Sequence, residues 1–578
     1  MNKTNIGVAL TVVAGMAATA WADLPNGVAA GETTSNSSLL WARTTQVGGV
    51  VFEVATDPLF ANIVGTTNVT AIDALEPVKA GVSGLSAGTR YYYRATDAGG
   101  ATSSGTFKTA AAAGTFGGFR MGVSGDWRGE LAPYPSLRNA ANRNLDLWMS
   151  LGDTIYADVS SPAVPASQAT SLTDYRLKHN EVLSERFGLN VHRDIRQSTS
   201  VMATIDDHEV TNDFAGGAAI STDSRFGPPS NDLINTSTLY NNGLKAFTEY
   251  HPMESRTYAG TGEARFDGRP DLYRTQSFGK DAAVFSLDAR SFRDEGLPEV
   301  QNITDPAQVL GYIASSFTPG RTMLGQTQLD RVKADLLSAQ QAQTTWKFVM
   351  VPEPIQNLGV LNASDRFEGY AAERTNLLKF IDDNNIENVV FVAADIHGTL
   401  VNNLTYQNAP FTPQIDSGAF EITTGSGAYF APFGPTVAGL AAQLGLPGSL
   451  PLATYLALPA AQQEAYIQGL INSQIAALGY DTLGLQGSSI QATLTQGTWT
   501  ATNSFGWTEF DIDPVTQELC VTTYGTPYYD EATLLANPSL IASLQPAIIQ
   551  QFKVTPVPAP GAAGVLALAG MLAARRRR

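Results

Sequence analysis

The sequence predicts an α/β core preceded by a short all-β region. Three observations carry this. Residues 26–109 hold short runs of β-branched and aromatic residues without helical spacing. From Phe119 onward, apolar runs of strand length alternate with stretches of helical periodicity. A linker of small residues, Ala110 to Gly118, separates the two regimes.

In the first region the strands are Leu39 to Arg43, Val50 to Val54 and Tyr91 to Ala95, bounded by Gly, Asn, Asp or Ser clusters. Gly84 to Tyr91 reads as a turn feeding the last of them. Strands spaced about ten residues apart predict a small sandwich. In the second region the strands are Phe119 to Ser124, Leu145 to Leu151, Val201 to Ile205, Ala282 to Leu287, Trp346 to Val351 and Val389 to Ala394. Gln326 to Ala339 sets Leu329, Val332, Leu336 and Leu337 at helical spacing, and Glu373 to Asn385 repeats this with Leu377, Leu378 and Ile381. Residues 434–500 are rich in Ala, Leu and Gln and read as a helical insertion over the core. Phe505 to Ile512 and Leu519 to Tyr524 read as closing strands.

The chain has 578 residues, with 36 Lys and Arg against 53 Asp and Glu, a formal net charge of −17. That balance disfavours nucleic-acid binding by bulk charge. A hydrophobic content of 43% supports a large packed core and excludes global disorder. Cys520 is the only cysteine, so an intrachain disulfide, a cysteine-rich zinc site and a haem attachment motif are all excluded.

The two ends predict export. Lys3, the apolar run Ile6 to Ala20 and the small-x-small step ending at Ala22 read as a signal peptide over residues 1–22. No twin arginine precedes the run, which points to the general secretory route and a periplasmic, cell-surface or extracellular destination. At the other end, residues 556–578 join a Pro-rich box, the apolar stretch Gly561 to Ala574 and four arginines. The stretch is shorter than the roughly 20 residues a spanning helix needs. This end resembles the PEP-CTERM-type sorting tails, although the usual Glu between the prolines is missing. The resemblance implies transient membrane anchoring and removal by a sorting transpeptidase.

Several apolar strands end in acidic or His-bearing loops: Gly125-Asp126-Trp127-Arg128, Gly152-Asp153-Thr154-Ile155-Tyr156-Ala157-Asp158, Asp206-Asp207-His208-Glu209-Val210-Thr211-Asn212-Asp213 and Asp395-Ile396-His397-Gly398. In open α/β sheets ligands sit outside the carboxyl ends of the strands. The pattern therefore predicts carboxylates, an amide and imidazoles around one crevice. Crowded carboxylates repel one another unless a cation lies among them. Oxygen donors suit calcium, magnesium or manganese, and imidazole adds affinity for iron or zinc. A carboxylate shared by two cations about 4 Å apart makes a two-metal site that polarises a phosphoryl group and lowers the pKa of a bound water.

At these residues the chain resembles the PhoD-type alkaline phosphatases of the calcineurin-like metallophosphatase superfamily. The resemblance rests on residues 152–158, 206–213, Leu-Asp-Ala-Arg-Ser-Phe-Arg-Asp at 287–294, Leu-Gly-Gln-Thr-Gln-Leu at 324–329, Thr-Trp-Lys-Phe-Val at 345–349 and Ala-Asp-Ile-His-Gly at 394–398, in family order. It implies two packed mixed sheets flanked by helices over residues 117–555, behind a fibronectin-like sandwich. It also implies that Asp153 bridges two metals, Tyr156 binds one through its phenolate, Asn212 binds the other and a phosphate oxygen, and Asp395 and His397 complete the shells. Asp207 and His208 would shape the pocket, with His208 near the leaving group. Arg290 or Arg293 would support the site or meet phosphate.

One step departs from the family. A cysteine iron ligand is expected after the first strand, where this chain has Ser124-Gly125-Asp126. Asp126 is expected to supply an oxygen instead, favouring calcium, manganese or zinc over iron. The expected function is an exported, metal-dependent phosphatase that hydrolyses phosphate mono- or diesters by a metal-activated hydroxide. The alternative is a non-catalytic cell-surface or matrix protein on a decayed phosphatase scaffold. His179, His192 and His251 are read as core or surface residues without a role.

Overall fold

A computed structural model describes residues 24–558. The expected leader and most of the expected tail lie outside the described residues. Two sheets face each other across the centre. The larger runs in spatial order Ala492–Gln496, Ala547–Val554, Leu519–Pro527, Ser504–Ile512, Phe119–Trp127, Leu147–Leu151, Ser200–Thr204, Val28–Gly31, Ser37–Ala42 and Val78–Ser83. The smaller runs Arg274–Phe278, Ala282–Ser286, Trp346–Met350, Val389–Ala393, Ile415–Thr423, Thr399–Tyr406 and Thr500–Ala501.

At the heart of each sheet lie parallel strands: Phe119–Trp127 with Leu147–Leu151 and Ser200–Thr204 in one, Ala282–Ser286 with Trp346–Met350 and Val389–Ala393 in the other. Apart from the long first strand, these are buried along their whole length. That is why they read as continuous apolar runs rather than alternating ones. Met121, Val123, Met149 and Leu151 of the larger sheet pack against Val284, Phe348, Met350 and Val392 of the smaller. Helices Gln326–Gln341 and Ala371–Asp383 cover the far face of the smaller sheet through Leu329, Val332, Leu336, Leu377, Leu378 and Ile381. Helices Leu172–Val182 and Val191–Ser198 cover the larger through Tyr175, Val182 and Ile195, against Trp148 and Val201. The layering is helix, sheet, sheet, helix, as the family resemblance implies.

The all-β N-terminal region is present, and its register adds a fact that the sequence did not show. Ile63–Ala71, Gly48–Ala55, Arg90–Thr96 and Thr102–Lys108 form a separate four-stranded sheet. Its inner residues Val50, Phe52, Val54, Tyr91, Tyr93 and Phe107 pack on Val28, Ala30, Leu40 and Ala42. Those partners, however, lie on the edge of the large core sheet, where Ala30 pairs with Ser200 and Gly31 with Val201. Alternating burial reveals that a strand has an inner face, not which sheet it joins.

The segment 434–500 is helical only in its first part, as Phe433–Leu444, Leu452–Leu456 and Ala460–Ala477. Ala492–Gln496 and Thr500–Ala501 then rejoin the two sheets as edge strands. Among the described residues, no helix is long and apolar enough to cross a membrane.

One cation sits within the parallel ladder. Lys347 is buried, its ammonium donating to Gln340 Oε1 at 2.6 Å and the Glu387 carbonyl at 2.9 Å. Burial pulls its pKa down to about 7 from 10.5. The unfolded chain therefore binds this proton more readily than the native state between those values. The stability involved is full above about pH 10.5 and lost as pH falls toward 7. Lys347→Met should raise stability at pH 7 by about 1–3 kcal/mol, with the gain shrinking toward pH 10. Urea unfolding at the two pH values reads this directly, and an equal effect at both would refute it.

Candidate metal centre

The two parallel ladders end on one rim. Strand Phe119–Trp127 carries Asp126. Asp153 follows Leu147–Leu151, and Asp206, Asp207 and His208 follow Ser200–Thr204. From the smaller sheet, Arg290 follows Ala282–Ser286, Glu353 follows Trp346–Met350, and Asp395 and His397 follow Val389–Ala393.

The backbone there is held in an unusual state. Asp126, Asp153, Asp213, Asp395 and His397 have φ of 61°, 51°, 51°, 60° and 60°. This left-handed conformation costs an L-residue about 1–2 kcal/mol. Such cost concentrates where side-chain direction matters. Gly152, with φ 79°, makes the approach possible: a β-carbon added there would stand 2.7 Å from that of Asp206.

The side chains form a connected series. Ligand atoms of Asp126, Asp153 and His397 lie within 4.8 Å of one another, as do those of Asp153, Asp207 and His208. Asp207, Asp213 and Asp365 make a third group, and Glu353, Asp365 and Asp395 a fourth. Asp153 is thus common to the first two groups, Asp207 to the second and third, and Asp365 to the last two. His397 Nε2 lies 3.4 Å from Asp126 Oδ1 and 3.5 Å from the Tyr156 hydroxyl. The Tyr429 ring stacks on His397, with centroids 3.5 Å apart and planes 10° apart.

Electrostatics show which charges the protein balances itself. Arg290 is fully buried and donates to Asp206 at 2.6 Å and to both oxygens of Asp365 at 2.7 Å, with Glu353 at 2.5 Å. Arg293 adds contacts to Glu353 and Asp365 at 3.0 Å. Both arginines are committed to carboxylates, so their geometry is that of a frame behind the rim. By contrast, both oxygens of buried Asp126, Oδ2 of Asp206, Oδ1 of Asp207 and Oε2 of Glu353 have no hydrogen-bond partner. Burial, then repulsion from Asp207, Asp206 and Asp126, drives the Asp153 pKa well above the usual carboxylate range. Asp395 is pushed up by burial and by Asp206 and Asp365, and Asp213 reaches about 7 through burial and Asp365. Orphaned carboxylate oxygens beside imidazole and phenol fit divalent or trivalent cations.

His208 is set differently. Burial opposes its charge, but Asp207 and the hydrogen bond of Nδ1 to Asp158, 2.6 Å long, raise its pKa to about 9. Its ring lies 4.1 Å from that of Tyr156, and Nε2 is 3.9 Å from both Asp153 Oδ2 and Asp207 Oδ1. Asn212 stands exposed at the outer lip. Its side-chain amide donates to Asp213 at 2.6 Å and its backbone N–H to Asp158 at 2.8 Å.

The structure thus gathers Asp126, Asp153, Tyr156, Asp207, His208, Asp395 and His397 along one rim, with Asn212 beside it. It also adds residues that sequence reasoning missed. Glu353 was within reach, because Val351-Pro352-Glu353 follows an apolar strand as the other acidic loops do. Asp365 and Tyr429 carried no such signal: Asp365 lies in a long loop and Tyr429 after the three-residue strand Ser426–Ala428. Cys520 is remote. It pairs with Asp511, which pairs with Arg120 at the opposite end of the strand bearing Asp126, about 20 Å away at strand rise.

Residues 123–435 match the family described as PhoD-like phosphatase, and residues 11–111 match its N-terminal domain. The chain belongs to the PhoD-like phosphatase family. A curated relative, alkaline phosphatase D of Bacillus subtilis (strain 168), is 26% identical over 410 residues, a match spanning 65% of this chain and 65% of the relative's length. A solved PhoD structure shares the fold with a TM-score of 0.64 at 20% identity, covering 91% of this chain and 88% of that one.

In this PhoD-like chain, Arg290→Met would strand Asp206 without its counterion and leave Glu353 and Asp365 with Arg293 alone. The expected loss is about 3–5 kcal/mol of stability, measured by urea unfolding in chelator, with Arg290→Lys recovering only part of it. A loss below 1 kcal/mol would remove Arg290 from the frame. Because Asp153, Asp213 and Asp395 hold protons more tightly than usual, cation loading should release protons and tighten as pH rises through about 7. Calorimetry in buffers of different ionisation enthalpy measures the release, and a buffer-independent heat would contradict it.

Proposed function

We propose that this chain is an exported, metal-dependent phosphatase acting on phosphate mono- or diesters. The observation that supports it best is the sharing of Asp153 between two adjacent ligand groups in which both Asp126 oxygens and Asp207 Oδ1 lack a hydrogen-bond partner. Asp126, Asp153, Tyr156 and His397 would hold one cation. Asp153, Asp207 and Asn212 would hold a second, and Asp395 joins from the Glu353 and Asp365 side. Bound there, the cations would neutralise the ester oxygens and lower the pKa of a water.

The protein's own part is to place and hold protons. Asp158 fixes His208 through Nδ1, leaving Nε2 as the proton-bearing atom beside Asp153 and Asp207. Its pKa near 9 keeps that proton in place at mildly alkaline pH. When the ester P–O bond breaks, the leaving oxygen would take this proton as the water oxygen bonds to phosphorus. Tyr156 and Tyr429 wall the crevice, and the buried frame of Arg290 and Arg293 keeps the carboxylates at fixed spacing.

With Asp126 in place of a thiolate, the donor set is harder, which favours calcium, manganese or zinc over iron. Residues 1–22 and 556–578 support export and transient anchoring processed by a sorting transpeptidase. The connected ligand groups weigh against the non-catalytic matrix reading, since a decayed site has no need to keep Asp126, Asp153 and Asp207 buried together.

Turnover of p-nitrophenyl and bis-p-nitrophenyl phosphate with added calcium, iron, manganese, zinc or magnesium is the primary test. Absence of turnover with every metal would return the matrix reading. His208→Gln should lower kcat by about 10²–10⁴ for an alkyl phosphate and by much less for the p-nitrophenyl ester, whose leaving group needs no proton. Equal losses on both esters would exclude His208 as the acid. Asp126→Ala should lower metal content measured by elemental analysis, and full iron occupancy in wild type and variant alike would refute the role given to Asp126.

A further inference from the structure

A buried chamber of about 20 Å³ lies beneath the rim, between helices Leu172–Val182 and Val191–Ser198 and the strand Leu147–Leu151. His179, His192, His251 and Arg196 are on its walls, so three of the chain's five histidines meet here. No carboxylate lines it.

Arg196 is 4% exposed. Its Nη2 donates to the Tyr250 carbonyl at 3.0 Å, and the guanidinium lies 4.1 Å over the Trp41 ring. Nε and Nη1 have no hydrogen-bond partner, and neither do His179 Nε2 and His192 Nε2. Four nitrogens on residues of the chamber wall are therefore buried without a hydrogen-bond partner among the described residues. A buried charge is normally paired, because leaving it unpaired forfeits its hydration with nothing in return. Burial lowers the Arg196 pKa only to about 10, against an opposing pull from the Tyr93 hydroxyl, so the guanidinium is charged at neutral pH. The same environment pulls His179 and His192 down to about 3 through burial and repulsion from Arg196. Both imidazoles are thus neutral and able to offer Nε2 as a donor.

We propose that this chamber binds one monovalent inorganic anion of halide size, held by Arg196 Nε and Nη1 and by the Nε2–H groups of His179 and His192. The volume suits one water-sized occupant and excludes phosphate. Trp41 and Tyr93 come from the N-terminal β region, so the ion would fasten that region to the core through Arg196. The inference stands apart from the phosphatase reading, since none of its donors belongs to the metal groups.

The test uses the full chain crystallised in sodium bromide, with anomalous data at the bromine edge. Melting curves in sodium bromide and sodium gluconate at equal ionic strength accompany it, which holds surface screening constant. The expected result is a bromine peak within hydrogen-bond distance of Arg196 and a saturable rise in Tm of a few degrees in bromide. Both should disappear in Arg196→Met. His192→Leu, which removes one donor without stranding a charge, should weaken both if the arginine variant does not fold. A chamber without a bromine peak, holding water instead, overturns the proposal. Equal Tm in the two salts does the same, as does a peak of unchanged height in His192→Leu.

Discussion

Buried carboxylates repel one another, and the core of this protein is organised around that repulsion. Two parallel ladders point their carboxyl ends at a single rim, so acidic loops from different strands cannot avoid meeting there. The protein meets the problem in two ways. Asp206, Glu353 and Asp365 receive fixed counterions in Arg290 and Arg293. Asp126, Asp153 and the inner oxygen of Asp207 receive no arginine, and the His208 ring stands 3.9 Å from the last two. The boundary between the two sets separates the scaffold from the site. Arginine saturates the first set with a rigid fork of donors. The second set is left to charges that arrive from solution.

The rim also stores energy in its backbone. Five left-handed residues without glycine's freedom sit within a few loops of each other, and all five carry ligand atoms of the four groups. Strain of this kind persists only where surrounding packing over-determines it. Here that packing is the dry interface of the two sheets, with Met149, Leu151, Met350 and Val392 immediately beneath the loops. A cation bound at the rim would recover part of both costs at once, the electrostatic and the conformational.

Much of this was legible in the sequence because parallel strands announce themselves as short, fully apolar runs and because the acidic loops follow them directly. The six core strands and the two helices over the smaller sheet lie within a few residues of their expected positions. What escaped has a common physical cause. Asp365, Tyr429 and the pairing of Val28–Gly31 with Ser200–Thr204 depend on contacts between distant segments, and no local period encodes the partner. The histidines His179, His192 and His251 looked inert because, although Arg196 follows His192 by one helical turn, no local pattern brings His179 and His251 to the same place. The tail of the helical insertion was misread because a strand at a sheet edge needs only a few residues, as Thr500–Ala501 shows.

The pairing of Val28–Gly31 beside Ser200–Thr204 has a consequence for assembly. Val28–Gly31 can pair at once with Ser37–Ala42 but meets its other neighbour only after some 170 further residues have appeared, judged from Ala30 and Ser200. Contacts of such long sequence separation close late and slowly. One edge of this strand therefore stays unpaired until Ser200–Thr204 has been made. The larger sheet cannot close on that side until then, so the N-terminal β region docks only once the core strands exist.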